Sequence, residues 1–271
     1  MNETGCTRRE VLRGLAWAGV AGLGLGARAP AYAAGGEAQQ ADRLRLLPPG
    51  ADLLEALGKK LAAAPRRRDF KTVPMTLTDP DAWDDQAMQD VLHYPGNPKM
   101  VWHNTELGGP WLNLMRLTLN SQIWAFKHPN FLIASVTHSS AALALFDQAA
   151  WDKYNFAKLT KGKFKRNTFI DIPPAALADP ANFQNPEGPF SKKATSITVL
   201  QKRGVVFLAC HDGIWGLAAH LRKERQNPNK LSHGELAADL TNHLIPGVIL
   251  TPDVVGELVE LELAGFTYAH S

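Results

Sequence analysis

Thiols are scarce in this chain. Of 271 residues, two are cysteine, Cys6 and Cys210. No C-x-x-C pair exists, which excludes a dithiol redox motif, a thiolate zinc ribbon and haem attachment. There is also no P-loop, no G-x-G-x-x-G after an apolar strand pattern and no G-x-S-x-G, so nucleotide cradles and the nucleophile elbow are excluded as motifs. No long hydrophobic run is present either. The most apolar stretch, Gly14 to Ala27, is Gly- and Ala-rich and too short to span a bilayer. An excess of charge is lacking too: the formal net charge is +3. Residues 1–33 hold Arg8, Arg9, Arg13 and Arg28 against Glu3 and Glu10. Without them the chain has 25 basic side chains (29 less four) and 24 acidic ones (26 less two). That balance leaves no footprint for nucleic acid or an anionic membrane.

What is present begins with Thr7-Arg8-Arg9-Glu10-Val11-Leu12-Arg13, followed by the mild apolar stretch and Ala31-Tyr32-Ala33. Charged region, apolar region and A-x-A site form the grammar of an export signal, and the arginine pair selects the twin-arginine route. The expectation is a signal peptide over 1–33, cleaved near Ala33-Ala34, with the mature protein in the periplasm. Its partner on the way is the twin-arginine export machinery. Cys6 leaves with the signal, so the mature protein forms no internal disulfide. Cys210 is then either a packed, inert thiol or one kept for chemistry.

Residues 34–98 read as a linker and helical extension. Leu53, Leu54, Leu57 and Leu61 lie at helical spacing, and Pro65 with Arg66-Arg67-Arg68 ends that helix in what reads as a solvated run. Asp79 and Pro80 mark another helix start, running to His93. The domain proper spans 99–271. Met100 to His103, Asn130 to His138, Gly204 to Cys210, Gly247 to Leu250 and Phe266 to Ala269 read as strands. Helical patterns separate them, including Gly108–Gln122, Ala141–Asp147, Ser191–Lys202, Gly213–Arg225 and Ser232–His243. Residues 152–190, punctuated by proline, read as a surface insertion. Apolar strands alternating with helices predict an α/β fold: a doubly wound, flavodoxin-like parallel five-stranded sheet with helices on both faces.

Ligands of such sheets bind beyond the carboxyl ends of the strands, where the strand order reverses. With the order 2-1-3-4-5, the first three strands are neighbours and deliver His103, His138 and Cys210-His211-Asp212 to one edge. A thiolate at a helix N-terminus is stabilised by free N–H groups and the macrodipole, which argues for a reactive Cys210 tuned by His138 and His211. Asp212 reads as the N-cap of the following helix. His103, His138, Cys210 and His211 are also candidate ligands for zinc or copper, although no cofactor is required.

Three segments carry a family resemblance: Phe131 to His138 with its Ala-rich sequel, Val205 to Cys210, and Gly247-Val248-Ile249-Leu250-Thr251-Pro252-Asp253 through Tyr268. They resemble the DsrE/DsrF-like family of sulfur-relay proteins over 99–151 and 191–270. The resemblance implies an α/β sandwich, a homo-oligomer, and a cysteine, here Cys210, that carries sulfur as a persulfide. It implies small sulfur species and a protein sulfur donor or acceptor as partners. The expected function is thus periplasmic sulfur handling with sulfurtransferase-like chemistry at Cys210, His138 and His211. The alternatives are a binding or interaction protein on the same fold and a Cys/His metal module. Export, the extension and the insertion depart from the family pattern.

Overall fold

The computed structural model describes residues 45–271. The proposed signal and the first part of the linker lie outside them. Five parallel strands form one sheet: β1 (Lys99–Asn104), β2 (Leu132–Thr137), β3 (Val206–Cys210), β4 (Ile249–Thr251) and β5 (Thr267–His270). Their order is β4-β3-β2-β1-β5. The doubly wound α/β class therefore holds, with a strand order other than 2-1-3-4-5. The chain steps outward from β1 to β4, then returns to place β5 on the far side of β1. The reversal lies between β1 and β5.

Period-two alternation sorts each strand's side chains between two cores. Trp102, Ile133, Phe207, Ala209 and Leu250 face one, together with helices α3 (Trp111–Asn120), α6 (Ile197–Lys202), α7 (His211–Lys223) and α8 (His233–Asn242). Val101, Ala134, Val136, Leu208, Cys210 and Ile249 face the other, with α1 (Asp52–Ala63), α2 (Asp85–Leu92) and α9 (Gly256–Leu263). Crossovers that all step the same way put their helices on one face, and only the return through α9 reaches the other. The N-terminal extension supplies the rest of that second layer.

The extension also wraps the β4 edge. Leu54 and Leu57 pack on one face, Phe70, Val73 and Leu77 on the other, and Met88 and Val91 on the first again. At the crossing, Arg68 binds both carboxylate oxygens of Asp84, at 3.1 and 2.7 Å. The Asp84 carboxylate accepts from the Leu250 amide at 2.7 Å while the Asp84 amide donates to the Leu250 carbonyl, so side chain and backbone together tie the extension to β4. Arg66 and Arg68 both donate to the Val248 carbonyl. The arginine run is therefore a clamp over two of its three residues, not a solvated surface. Sequence pattern missed it because the acceptors lie far along the chain.

Element boundaries shifted where turn chemistry competed with helix. Asp79 does cap Asp81, but opens only a 3₁₀ turn (Pro80–Ala82) before α2. Ser139–Leu145 is 3₁₀, and α3 ends in a π-helical turn over Ser121–Ala125. Lys192–Ala194 is a separate 3₁₀ turn before α6, itself capped by Ser196. The Ser232–Glu235 capping box forms with both of its hydrogen bonds. The 152–190 segment carries α5 (Phe156–Leu159), after α4 (Gln148–Lys153), and sends Phe156, Asn167 and Ala176 into the interior.

Candidate functional site

The carboxyl edge carries its polar residues in a row set by register. His103 on β1 sits beside His270 on β5 and Val136 on β2. His138 follows β2, one residue past the Thr137–Ala209 pair, and Cys210 is one residue past it on β3. The edge thus runs His270, His103, His138, Cys210 on the sheet face shared with Val101 and Leu208. His103, His138 and Cys210 lie on one edge, as their places at the strand ends imply.

Contacts divide the row in two. The Nε2 atoms of His103 and His138 are 2.6 Å apart. The ring centroids are 4.8 Å apart with planes at 18°. Because the facing nitrogens are so much closer than the centroids, the rings meet nitrogen to nitrogen rather than face to face. One proton fits between them, so one ring donates and the other accepts. The chain continues outward on both sides: His103 Nδ1 meets the Tyr268 hydroxyl at 2.8 Å, and His138 Nδ1 meets the Ser139 hydroxyl at 3.1 Å. Tyr268 O–H, His103, His138 and Ser139 O–H form one hydrogen-bonded line whose donors can all reverse together. Burial, then the neighbouring His138 and His270, hold the His103 imidazole below its ordinary value, favouring the neutral ring.

Local backbone fixes this pair. The His138 amide donates to the Asn104 carbonyl, tying the end of β2 to β1. Ser139 then turns out of the strand with φ 54°, a left-handed conformation uncommon for a non-glycine residue. Ser140 Oγ latches both sides of the β1 exit, donating to the Thr105 carbonyl and accepting from the Leu107 amide. Beneath, on the other sheet face, Asn104, Ser135 and Thr137 form a fully buried polar ladder, with Asn104 Nδ2 to Ser135 Oγ at 2.7 Å.

Cys210 belongs to a different environment. It is 6% exposed. Its Sγ accepts from the Gly213 amide at 3.2 Å and lies 3.5 Å from Asp253 Oδ1, on the β4 side rather than toward His138. The helix-terminal N–H contact foreseen for the sulfur is present. The stabilised thiolate is not: burial, with a smaller contribution from Asp253, pushes the thiol above its ordinary value. Cys210 itself is the cap of α7, so Asp212 is not, because the helix starts at His211.

His211 does not join the row. It is 1% exposed, on the opposite sheet face, with Nε2 on the Pro74 carbonyl at 2.8 Å and Nδ1 without a partner among the described residues. Burial lowers its basicity. Among the described residues, no group of three or more His, Cys, Asp or Glu is arranged to hold a metal ion. The four proposed ligands are split: His103 and His138 face each other, Cys210 faces Asp253 and His211 faces Pro74.

Tyr268 and His270 escaped the sequence argument. Tyr268 lies in a strand that was recognised, Phe266 to Ala269, and His270 one residue past it at the end of β5, but only the strand order puts that strand beside β1. The signal available was a tyrosine and a histidine two apart at the end of that strand. No protein-family model matches the chain, and no curated protein matches it.

Proposed function

We propose that the protein is a binding protein on an α/β sandwich, whose site is the His103–His138 pair with Tyr268 and Ser139 at the β1/β5 reversal. The observation that carries this reading is the 2.6 Å Nε2–Nε2 contact at the open end of the sheet. A line of four groups that reverses its donors together suits a small ligand that gives or takes one proton, including the small sulfur species expected from the family resemblance. His103, kept neutral, offers a lone pair or an N–H without a charge to desolvate. The test is imidazole NMR of the mature protein with hydrosulfide, sulfite, thiosulfate and zinc added in turn. Selective shifts at His103 and His138, lost in His103→Gln and with no mass added to the protein, are the expected result. Unchanged imidazoles throughout would refute this site.

A second reading is sulfur carriage by Cys210, supported by the Gly213 amide on its sulfur at the start of α7. There a thiolate attacks the outer sulfur of a polysulfide, forming the persulfide and releasing the shortened polysulfide. One sulfur added to native protein, and absent in Cys210→Ser, would replace the first reading with this one.

The proposed setting is the periplasm, reached by the twin-arginine route. Arg8→Lys with Arg9→Lys should leave precursor in the cytoplasm, and normal export of that double variant would remove the assignment. A homo-oligomer belongs to the same proposal, and native mass spectrometry reads it directly.

A further inference from the structure

At the opposite, amino edge of the sheet lies a cation that the other described residues answer only in part. Arg203 sits between α6 and β3 and is 1% exposed. Its Nη2 donates to Asn120 Oδ1 at 2.7 Å. Among the described residues, its Nε and Nη1 have no hydrogen-bond partner. The rings of Trp124 and Phe190 lie 5.6 and 5.0 Å from the guanidinium carbon. Trp124 comes from the π-helical turn and Phe190 from the end of the insertion.

The charge that acts on it is of the same sign. Arg116, half-buried on α3, donates through Nη1 to the Phe190 carbonyl and through Nε and Nη2 to Asn113 Oδ1. Asn120 Nδ2 donates to the same Phe190 carbonyl. Among the described residues, no carboxylate forms an ion pair with either arginine. Burial, then Arg116, push the Arg203 guanidinium down to about 9. A buried charge is ordinarily paired and fully hydrogen-bonded, since an uncompensated one is costly. Aromatic contact relieves part of that deficit but gives the two open N–H groups no acceptor.

We infer that Arg203, backed by Arg116, is the receptor for a small oxyanion bound at the amino edge of the sheet, apart from the histidine site. Carboxylate, sulfate and phosphate share the needed chemistry: several negative oxygens that meet donors on more than one nitrogen. Arg116 reaches both solvent and the Phe190 carbonyl, so it marks the side of entry.

The experiment is thermal denaturation of the mature protein at fixed pH and ionic strength, with chloride replaced stepwise by acetate, sulfate or phosphate. At least one oxyanion should raise the midpoint by about 5 °C or more, saturating with concentration as site binding does. Arg203→Met should abolish the saturating rise. Arg116→Met, at a half-exposed position, should weaken the apparent affinity by roughly tenfold. A rise that never saturates, or that persists unchanged in Arg203→Met, is the general exclusion effect of such salts and overturns the proposal. So does the absence of any rise. Should Arg203→Met fail to fold, an unchanged concentration dependence in Arg116→Met overturns it as well.

Discussion

The two ends of the carboxyl edge are made of similar material and treated in opposite ways. Toward β5, His103 and His138 meet at a partly exposed surface beside Tyr268, which is 46% exposed. Toward β4, Cys210 is closed in beneath Asp253, and the extension crosses that edge through Arg68 and Asp84. The difference teaches that a reactive residue type at the right edge is not enough. What decides is whether the neighbouring element leaves the group in contact with water. Strand β5 leaves one end of the row open, whereas at the other Asp253 and the start of α7 cover the sulfur and the N-terminal wrap lies along β4.

Breaking the closure should have the largest effect. Asp84→Ala strands the Arg68 guanidinium and the Leu250 amide, and should cost about 3–5 kcal/mol in chemical denaturation. The same variant should label faster at Cys210 without denaturant. A cost below about 1 kcal/mol would mean that the clamp is not what closes this end. Next comes the thiol itself. In the native wild type, alkylation of Cys210 at neutral pH should run slower than a model thiol, because the protonated form is favoured. Asp253→Asn removes a carboxylate that opposes ionisation, so the thiol should ionise at lower pH and react about two to five times faster. A pH–rate profile that does not move would assign the whole effect to burial.

The open end sharpens the contrast with smaller numbers. His138→Gln takes away a group that disfavours a charged His103, so the His103 titration followed by NMR should move upward, short of the ordinary imidazole value because burial remains. The sign for stability follows from the folded state binding the proton less well than the unfolded chain. His103 and His211 therefore contribute stability that is present above about pH 6.5 and lost as pH falls through their folded values. His243 runs the other way: its hydrogen bond to Asp147 raises it, and its contribution is lost as pH rises through the raised value. The smallest change is Tyr268→Phe, which removes one exposed hydroxyl contact and should cost about 1 kcal/mol or less.

Much of the architecture was legible in local pattern. Val205 to Ala209 is apolar on both faces, which only a sheet covered on both sides permits, and the Ser232–Glu235 spacing named a helix start that formed as read. Strand order was not legible, since residue spacing carries no information on which strand lies beside β1. That one missing fact hid Tyr268 and His270. The thiol was half legible. The Gly213 amide contact follows from the strand-to-helix junction, whereas the Asp253 contact comes across from the next strand exit. Arg203 shows the same limit from another side. Nothing about an arginine after a short helix says that an indole, a phenyl ring and a second arginine will close over it.

The wrap over β4 also sets an order in time. Arg66 and Val248 are 182 residues apart in the chain, and Asp84 and Leu250 are 166 apart. At ribosomal speed that interval is roughly 10–30 s. Throughout it the clamp residues have been made and their acceptors have not. The clamp, though made early in the described chain, is thus among the last parts able to close. The nascent protein must keep Phe70, Val73 and Met88 from other apolar partners until β4 exists. A chain arrested before Val248 would expose the apolar sides of the extension, and such fragments should be the ones that chaperones hold and proteases remove.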